Sequence, residues 1–328
     1  MNSLFQPLIN RLRNSYTYRN KINFNEYFAH TFKSDLTEQD ASDAIERELL
    51  SSKPSMIARF GGIELDVLTD YLEVNKPKII QTLDYIKGDF NNFGWREPVI
   101  DKLNLFSKKN EDKYKQVEKF SQLVLQDIKC VDILGSWQES EKRVKKYYPE
   151  KLITVNLKDL EPYYHPNPWS KTLKNKKILV IHPFTKSIQQ QYEKRELLFD
   201  DKNVLPQFEL KTINTFHTFF GINQDKFDDW FEVLDFMKSQ MDEQDYDIAI
   251  IGCGPYGFHL AAHAKRRGKK AIHLGGATQL LFGIIGTRWE TTGWKDIFHF
   301  KNDYWIRPSK EETPDFATTY KLDFSAYW

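Results

Sequence analysis

The chain has 328 residues, 47 Lys and Arg against 46 Asp and Glu, 40% hydrophobic residues and 15% aromatics. That apolar share can bury a sizeable core and excludes wholesale disorder. A net charge of +1 lacks the basic excess that nucleic acid selects, so no nucleic-acid partner is expected. Two cysteines, Cys130 and Cys253, exclude a disulfide scaffold and a Cys-rich zinc site. No run approaches the roughly 20 apolar residues of a membrane-spanning helix, and the N-terminus lacks the apolar stretch of a secretory leader. The expected setting is the cytoplasm.

Residues 1–23 carry Arg11, Arg13, Arg19 and Lys21 and no acid, with Leu4, Phe5, Leu8, Ile9 and Leu12 at helical spacing. Such a segment either rests on the inner face of an anionic membrane or packs on the protein body or a second copy of the chain. Thr37 followed by Asp40 predicts an N-cap, and Ala41, Ala44, Ile45 and Leu49 supply the apolar stripe of the helix behind it. A strand at Ser55–Phe60 is broken by Gly61-Gly62, and a second helix carries Leu65, Leu68, Tyr71 and Leu72. Further strands are predicted at 78–83, 130–135, 152–157, 177–183, 209–214, 247–252 and 270–274, and helices near 111–128, 138–147, 186–198, 225–243 and 255–267. This alternation predicts a Rossmann-like α/β fold, a mainly parallel sheet with helices on both faces. Three prolines between Glu161 and Trp169 mark a junction. The chain then divides into an N-terminal helical extension (1–35) and two α/β halves (36–160 and 161–328), which either share one sheet or stand apart.

Three stretches carry candidate chemistry. In the first, a buried strand from Asp247 runs into Gly252-x-Gly254-x-x-Gly257, with Pro255 and Tyr256 inside the turn. Glycines there let backbone amides at a helix start approach a phosphate. The next strand ends at His273 without the acid that would hold the ribose of NAD. The second stretch, Gly275-Gly276-Ala-Thr278-Gln279 with Arg288 beyond it, sets small residues and donors at a neighbouring strand end. The third is Arg59-Phe-Gly61-Gly62-Ile-Glu64-Leu-Asp66. Its carboxylates serve either as a helix-dipole cap or as base and ligand groups beside Arg59. Asn92, Trp95, His182 and Lys186 are further crevice candidates. His259 and His263 are i,i+4 with no third ligand indicated, so zinc is not expected, and no GxSxG or Walker A pattern occurs.

Arg59-Phe-Gly-Gly-Ile-Glu64 resembles the Arg-Phe-Gly-Asp-Gly-Glu motif of the GT-D-type glycosyltransferases of bacterial surface-glycan biosynthesis. Weaker similarity runs through Asn91–Gly94, Asp132–Trp137, Ile251–Gly257 and Lys269–Gly275. The resemblance implies a nucleotide-sugar donor, a growing glycan or lipid-linked glycan acceptor, and a role in polysaccharide assembly. It ties Glu64 to catalysis; joined with the reading of the strand ends, catalysis falls to Arg59 and Glu64, with Asp66 as a substitute carboxylate. Donor binding falls to Gly61, Gly62, Gly252, Gly254, Pro255, Tyr256, Gly257, His273, Gly275, Gly276, Thr278, Gln279 and Arg288. The Asp of the family's Asp-x-Glu pair falls on Gly62, so the metal stays open: either Mn or Mg accompanies the donor, or Arg, Lys and helix N-termini neutralise the diphosphate. Two rival classes remain, an NAD(P)-dependent oxidoreductase built on Gly252–Gly257 and a non-catalytic glycan-assembly protein.

Overall fold

The computed structural model describes residues 5–20, 33–90, 93–108, 112–216, 224–291, 295–314 and 327–328. Its centre is a seven-stranded sheet built from β1 (Ser55–Arg59), β2 (Ile133–Ser136), β3 (Ile153–Asn156), β4 (Lys177–His182), β5 (Glu209–Asn214), β6 (Ile248–Ile251) and β7 (Lys270–His273). The order is β3-β2-β1-β7-β6-β4-β5 and every pairing is parallel. Strands from both halves of the chain share this sheet, joined where Ile57 pairs with Ile272.

The helices are α1 (Gln6–Arg19), α2 (Glu38–Leu50), α3 (Gly62–Val74), α4 (Lys78–Lys87), α5 (Glu97–Leu103), α6 (Lys113–Asp127), α7 (Thr185–Glu193), α8 (Arg195–Leu198), α9 (Trp230–Asp242), α10 (Gly257–Arg266), α11 (Ala277–Leu281) and α12 (Thr287–Thr291). They cover both sheet faces, so the inner strands are continuous apolar runs such as Ile178-Leu-Val-Ile181 and Ile248-Ala-Ile-Ile251. Alternate side chains of each strand feed opposite cores. Met56, Ala58, Leu179, Ile181 and Ala271 pack with α3, α6, α9 and α10. Ile57, Ile178, Val180 and Ile272 pack with α2, α7 and α11.

Three expectations are corrected. Residues 78–83 belong to helix α4 rather than a strand, because Ile79, Ile80, Leu83 and Ile86 follow helical spacing and the helix stops at Gly88 in the left-handed region (φ +84°). The predicted helix at 138–147 is two short 3-10 turns, Glu139–Arg143 and Lys145–Tyr147. Thr37 makes no side-chain capping bond; the Glu38 amide donates to Asp159 Oδ2 at 2.8 Å instead. The proline-rich stretch folds into 3-10 turns that bury Leu160, Tyr163 and Trp169 in the second core.

The sheet order positions the site. After β1 the chain crosses to the α3 face, and after adjacent β7 it crosses to the α11 face. Connections that leave neighbouring strands toward opposite faces open a crevice at the strands' carboxyl ends.

Candidate functional site

Arg59, the last residue of β1, lines that crevice. Its Nε donates to the Phe60 carbonyl at 3.0 Å and its guanidinium carbon lies 5.1 Å from the centre of the Trp137 ring. On the other side stands Gly275, with φ of +62°, where a Cβ would come within 2.9 Å of Nη1. Glycine is required there both for the backbone and for the arginine. Trp137 is fixed by its own Nε1 donating to Phe60 O at 3.1 Å, and by fully buried Glu141, which accepts from the amides of Trp137 and Gln138. Burial pushes the Arg59 pKa down, opposed by Tyr327 and Glu64.

Glu64 sits in the first turn of α3, with Gly61 as N-cap. Its carboxylate folds back over Gly61 so closely that a Cβ at position 61 would meet Oε2 at 1.9 Å. The residue keeps some exposed surface, yet the protein around the carboxyl pushes its pKa up by desolvation, while its own backbone amide, Arg59 and His259 pull it down. Position 62 differs, since a Cβ there would touch only the Trp137 ring at an ordinary 3.6 Å. Neither Glu64 nor Asp66 is in the crevice lining, nor are Gly61 and Gly62; the Asp66 carboxylate pairs with Arg96 at 3.2 Å, and Arg96 also grips buried Asp70 at 2.8 Å.

The glycine-rich turn after β6 is filled from within. A Cβ at Gly252 would lie 2.6 Å from the Gly275 carbonyl and from Thr278 Oγ1, and one at Gly257 would lie 2.3 Å from the His273 ring. These glycines pack the β6–α10 turn onto the β7 loop. Only Gly254 (φ +58°) and Pro255 keep exposed surface, and Tyr256 is buried against Trp230 with ring centres 4.6 Å apart. His273 is buried and its pKa is pushed down to about 3 by burial and by Arg59, so the ring is neutral.

The loop after β7 closes the crevice. Gln279, fully buried, donates to the carbonyls of Ile284 and Tyr327 at 3.2 and 3.1 Å, and buried Thr278 Oγ1 has no hydrogen-bond partner among the described residues. Gly276 makes room for the Tyr327 ring, which a Cβ would meet at 2.3 Å. Arg288 donates to the Tyr327 hydroxyl. Arg59, Trp137, Leu157, Leu160, Glu161, Leu274, Gly276, Ala277, Arg288, Trp289 and Tyr327 line the crevice, which encloses about 40 Å³ with Tyr327 seated.

Glu161, Trp137 and Tyr327 escape the sequence reading. Glu161 is 7% exposed, accepts a hydrogen bond from Tyr163, and has its pKa pushed up to about 7 by burial, with Tyr163, Arg59 and Lys158 opposing the rise. The available signal was its place as the sole acid between Leu160 and Trp169. The remaining candidates lie elsewhere. His182 Nδ1 accepts from the Phe184 amide at 3.0 Å, the Lys186 amide and ammonium are engaged by Glu312 and Glu311, and Trp95 packs between Tyr71 and Tyr114. Asn92 lies outside the described residues. No group of three or more His, Cys, Asp or Glu side chains placed to hold a metal occurs among the described residues. Beside Glu64, Gly62 supplies no carboxylate and Asp66 is paired with Arg96, so these residues do not fit the metal site implied by an Asp-x-Glu pair.

No protein-family model matches the chain, and no curated protein matches it. Among solved structures it is similar to a selenomethionine-substituted domain of unknown function 1792, with 13% identity over 74% of this chain and 78% of that one and a TM-score of 0.32. It is also similar to a structure of that domain described as having a distinct glycosyltransferase fold, with 13% identity over 71% and 82% and a TM-score of 0.27.

Proposed function

We propose that this protein is a glycosyltransferase that seats a nucleotide-sugar donor in the β1/β7 crevice and passes the sugar to a glycan or lipid-linked glycan acceptor. The observation that carries the reading is the convergence of Arg59 and Arg288 on one crevice at the switch point, with the Glu64 carboxyl electrostatically coupled to Arg59. Two guanidiniums suit a diphosphate, because planar donors meet its oxygens bidentately and their charge stabilises the leaving nucleotide. Trp137 and Trp289 give flat apolar walls for a base or a sugar ring. Glu64 stands behind the lining and acts through its charge on Arg59. Glu161, titrating near neutrality, takes the acceptor's proton as the new C–O bond forms and the C–O bond to the diphosphate breaks.

Calorimetry with a panel of nucleotides and nucleotide sugars tests the reading. Binding that Arg59→Ala reduces at least about tenfold is expected for a lost charged, partly buried contact. No heat with any nucleotide would remove the donor site. The oxidoreductase reading has less support, because Gly252 and Gly257 are packed against the chain itself and β7 ends at His273 with no acid to hold a ribose.

A further inference from the structure

The apolar side chains left in water are concentrated at one place. Of the fifteen large apolar residues exposed among the described residues, eight belong to α1 with its cap residue Phe5 and to α4. These two helices pack on each other, and Arg13 of α1 donates to the carbonyls of Tyr85 and Phe90. One residue further around α1, Phe5, Leu8, Leu12 and Tyr16 form a stripe at spacings of three, four and four that nothing among the described residues covers. On α4, Ile79 is 71% exposed, and Ile80 and Leu83 are exposed with it. Exposed apolar residues gathered on two helices that pack on each other mark an interaction site.

Charge selects the partner. Helix α1 holds Arg11, Arg13 and Arg19 and no acid. Helix α4 begins at Lys78 and ends at Lys87, and its one acid, Asp84, is paired with Lys76 at 2.6 Å. A second copy of the chain docking through a two-fold axis would set these cations against themselves. An anionic lipid surface instead takes apolar side chains into its headgroup boundary and attracts the cations around them. We infer that α1 and α4 together form a peripheral membrane-binding face for anionic lipid. The inference stands independently of the donor site.

The experiment is flotation of the full chain with vesicles of phosphatidylcholine alone or mixed with phosphatidylglycerol. Binding to the mixed vesicles that weakens as salt rises is expected, because surface charge attraction is screened. The double variant Leu12→Asp/Ile79→Asp, changed only at exposed positions, should lose about tenfold or more. Arg11→Glu should lose roughly fivefold or more, the worth of one basic residue at such a surface. No vesicle binding, or equal binding to neutral vesicles, overturns the inference. So does a concentration-dependent dimer in sedimentation velocity that the double variant abolishes while vesicles are ignored; that result assigns the face to a second copy.

Discussion

Arg288 donates from Nη1 to the Tyr327 hydroxyl at 3.0 Å, so a ring of the protein's own chain occupies the space over Gly276. On the proposed reading, a nucleotide sugar competes with that ring for the same guanidinium. Its apparent affinity is then reduced by the fraction of molecules with Tyr327 seated. Tyr327→Ala should raise donor affinity by roughly fivefold or more in calorimetry. Weaker binding in the variant would make Tyr327 a stacking partner of the donor instead.

The two adjacent glycines of β1's turn separate side-chain placement from stability. Gly61→Ala sets a methyl group against the Glu64 carboxylate, the far end of a flexible side chain that can swing aside, so it should cost under about 1 kcal/mol while displacing that carboxylate. Gly62→Ala meets only van der Waals contact with Trp137 at the start of a helix, and should be neutral or stabilising by up to about 1 kcal/mol. Urea denaturation of the pair checks both. A loss of several kcal/mol in Gly61→Ala would show that the Glu64 side chain is locked where it lies.

Gly62→Asp follows from the same geometry. The substitution adds a second carboxylate in the first turn of α3, where the helix dipole favours an acid. A gain of manganese binding over the parent in calorimetry is the expected outcome, with Glu64→Gln abolishing that gain. A silent titration would mean that the two carboxylates do not converge on one ion.

Glu161 should leave a pH signature. Its folded pKa of about 7 lies above the ordinary carboxylate value of 4.5, so the folded state holds this proton more tightly than the unfolded chain. The resulting stabilisation is present below pH 4.5 and is lost as pH rises through about 7, a difference on the order of 3 kcal/mol. Subtracting the unfolding curve of Glu161→Gln from the parent's at each pH isolates this change, and a flat difference would sink it. In a transfer assay the same variant should lose the limb of the rate profile near neutrality.

The sheet was legible for a physical reason. Strands buried on both faces read as apolar runs, and Ile178–Ile181 and Ile248–Ile251 stand out without any partner being known. Ile79-Ile80 misled by the same rule, since two adjacent β-branched residues suit a strand locally, while Pro77 and Gly88 frame a helix. At the site, Arg59 and Glu64 were visible because strand end, glycine turn and helix start are contiguous in sequence. Glu161 and Trp137 were not, because only the β3-β2-β1 order brings the loops after β2 and β3 over β1. The spacing of Gly252 and Gly257 did signal close approach, but what approaches is the protein's own Gly275 carbonyl and His273 ring.

The junction of β1 with β7 also bears on how the protein is made. When the first three strands have left the ribosome, one side of β1 still has no neighbour, because its hydrogen-bonding partner lies near residue 272. Until that late strand arrives, the nascent chain presents an unpaired parallel edge of Ser55–Arg59 to whatever else is in the cell. Arg59 and Gly275 therefore come together only once β7 has been made, and a truncated product ending before β7 carries half of the crevice and an open edge that invites aggregation.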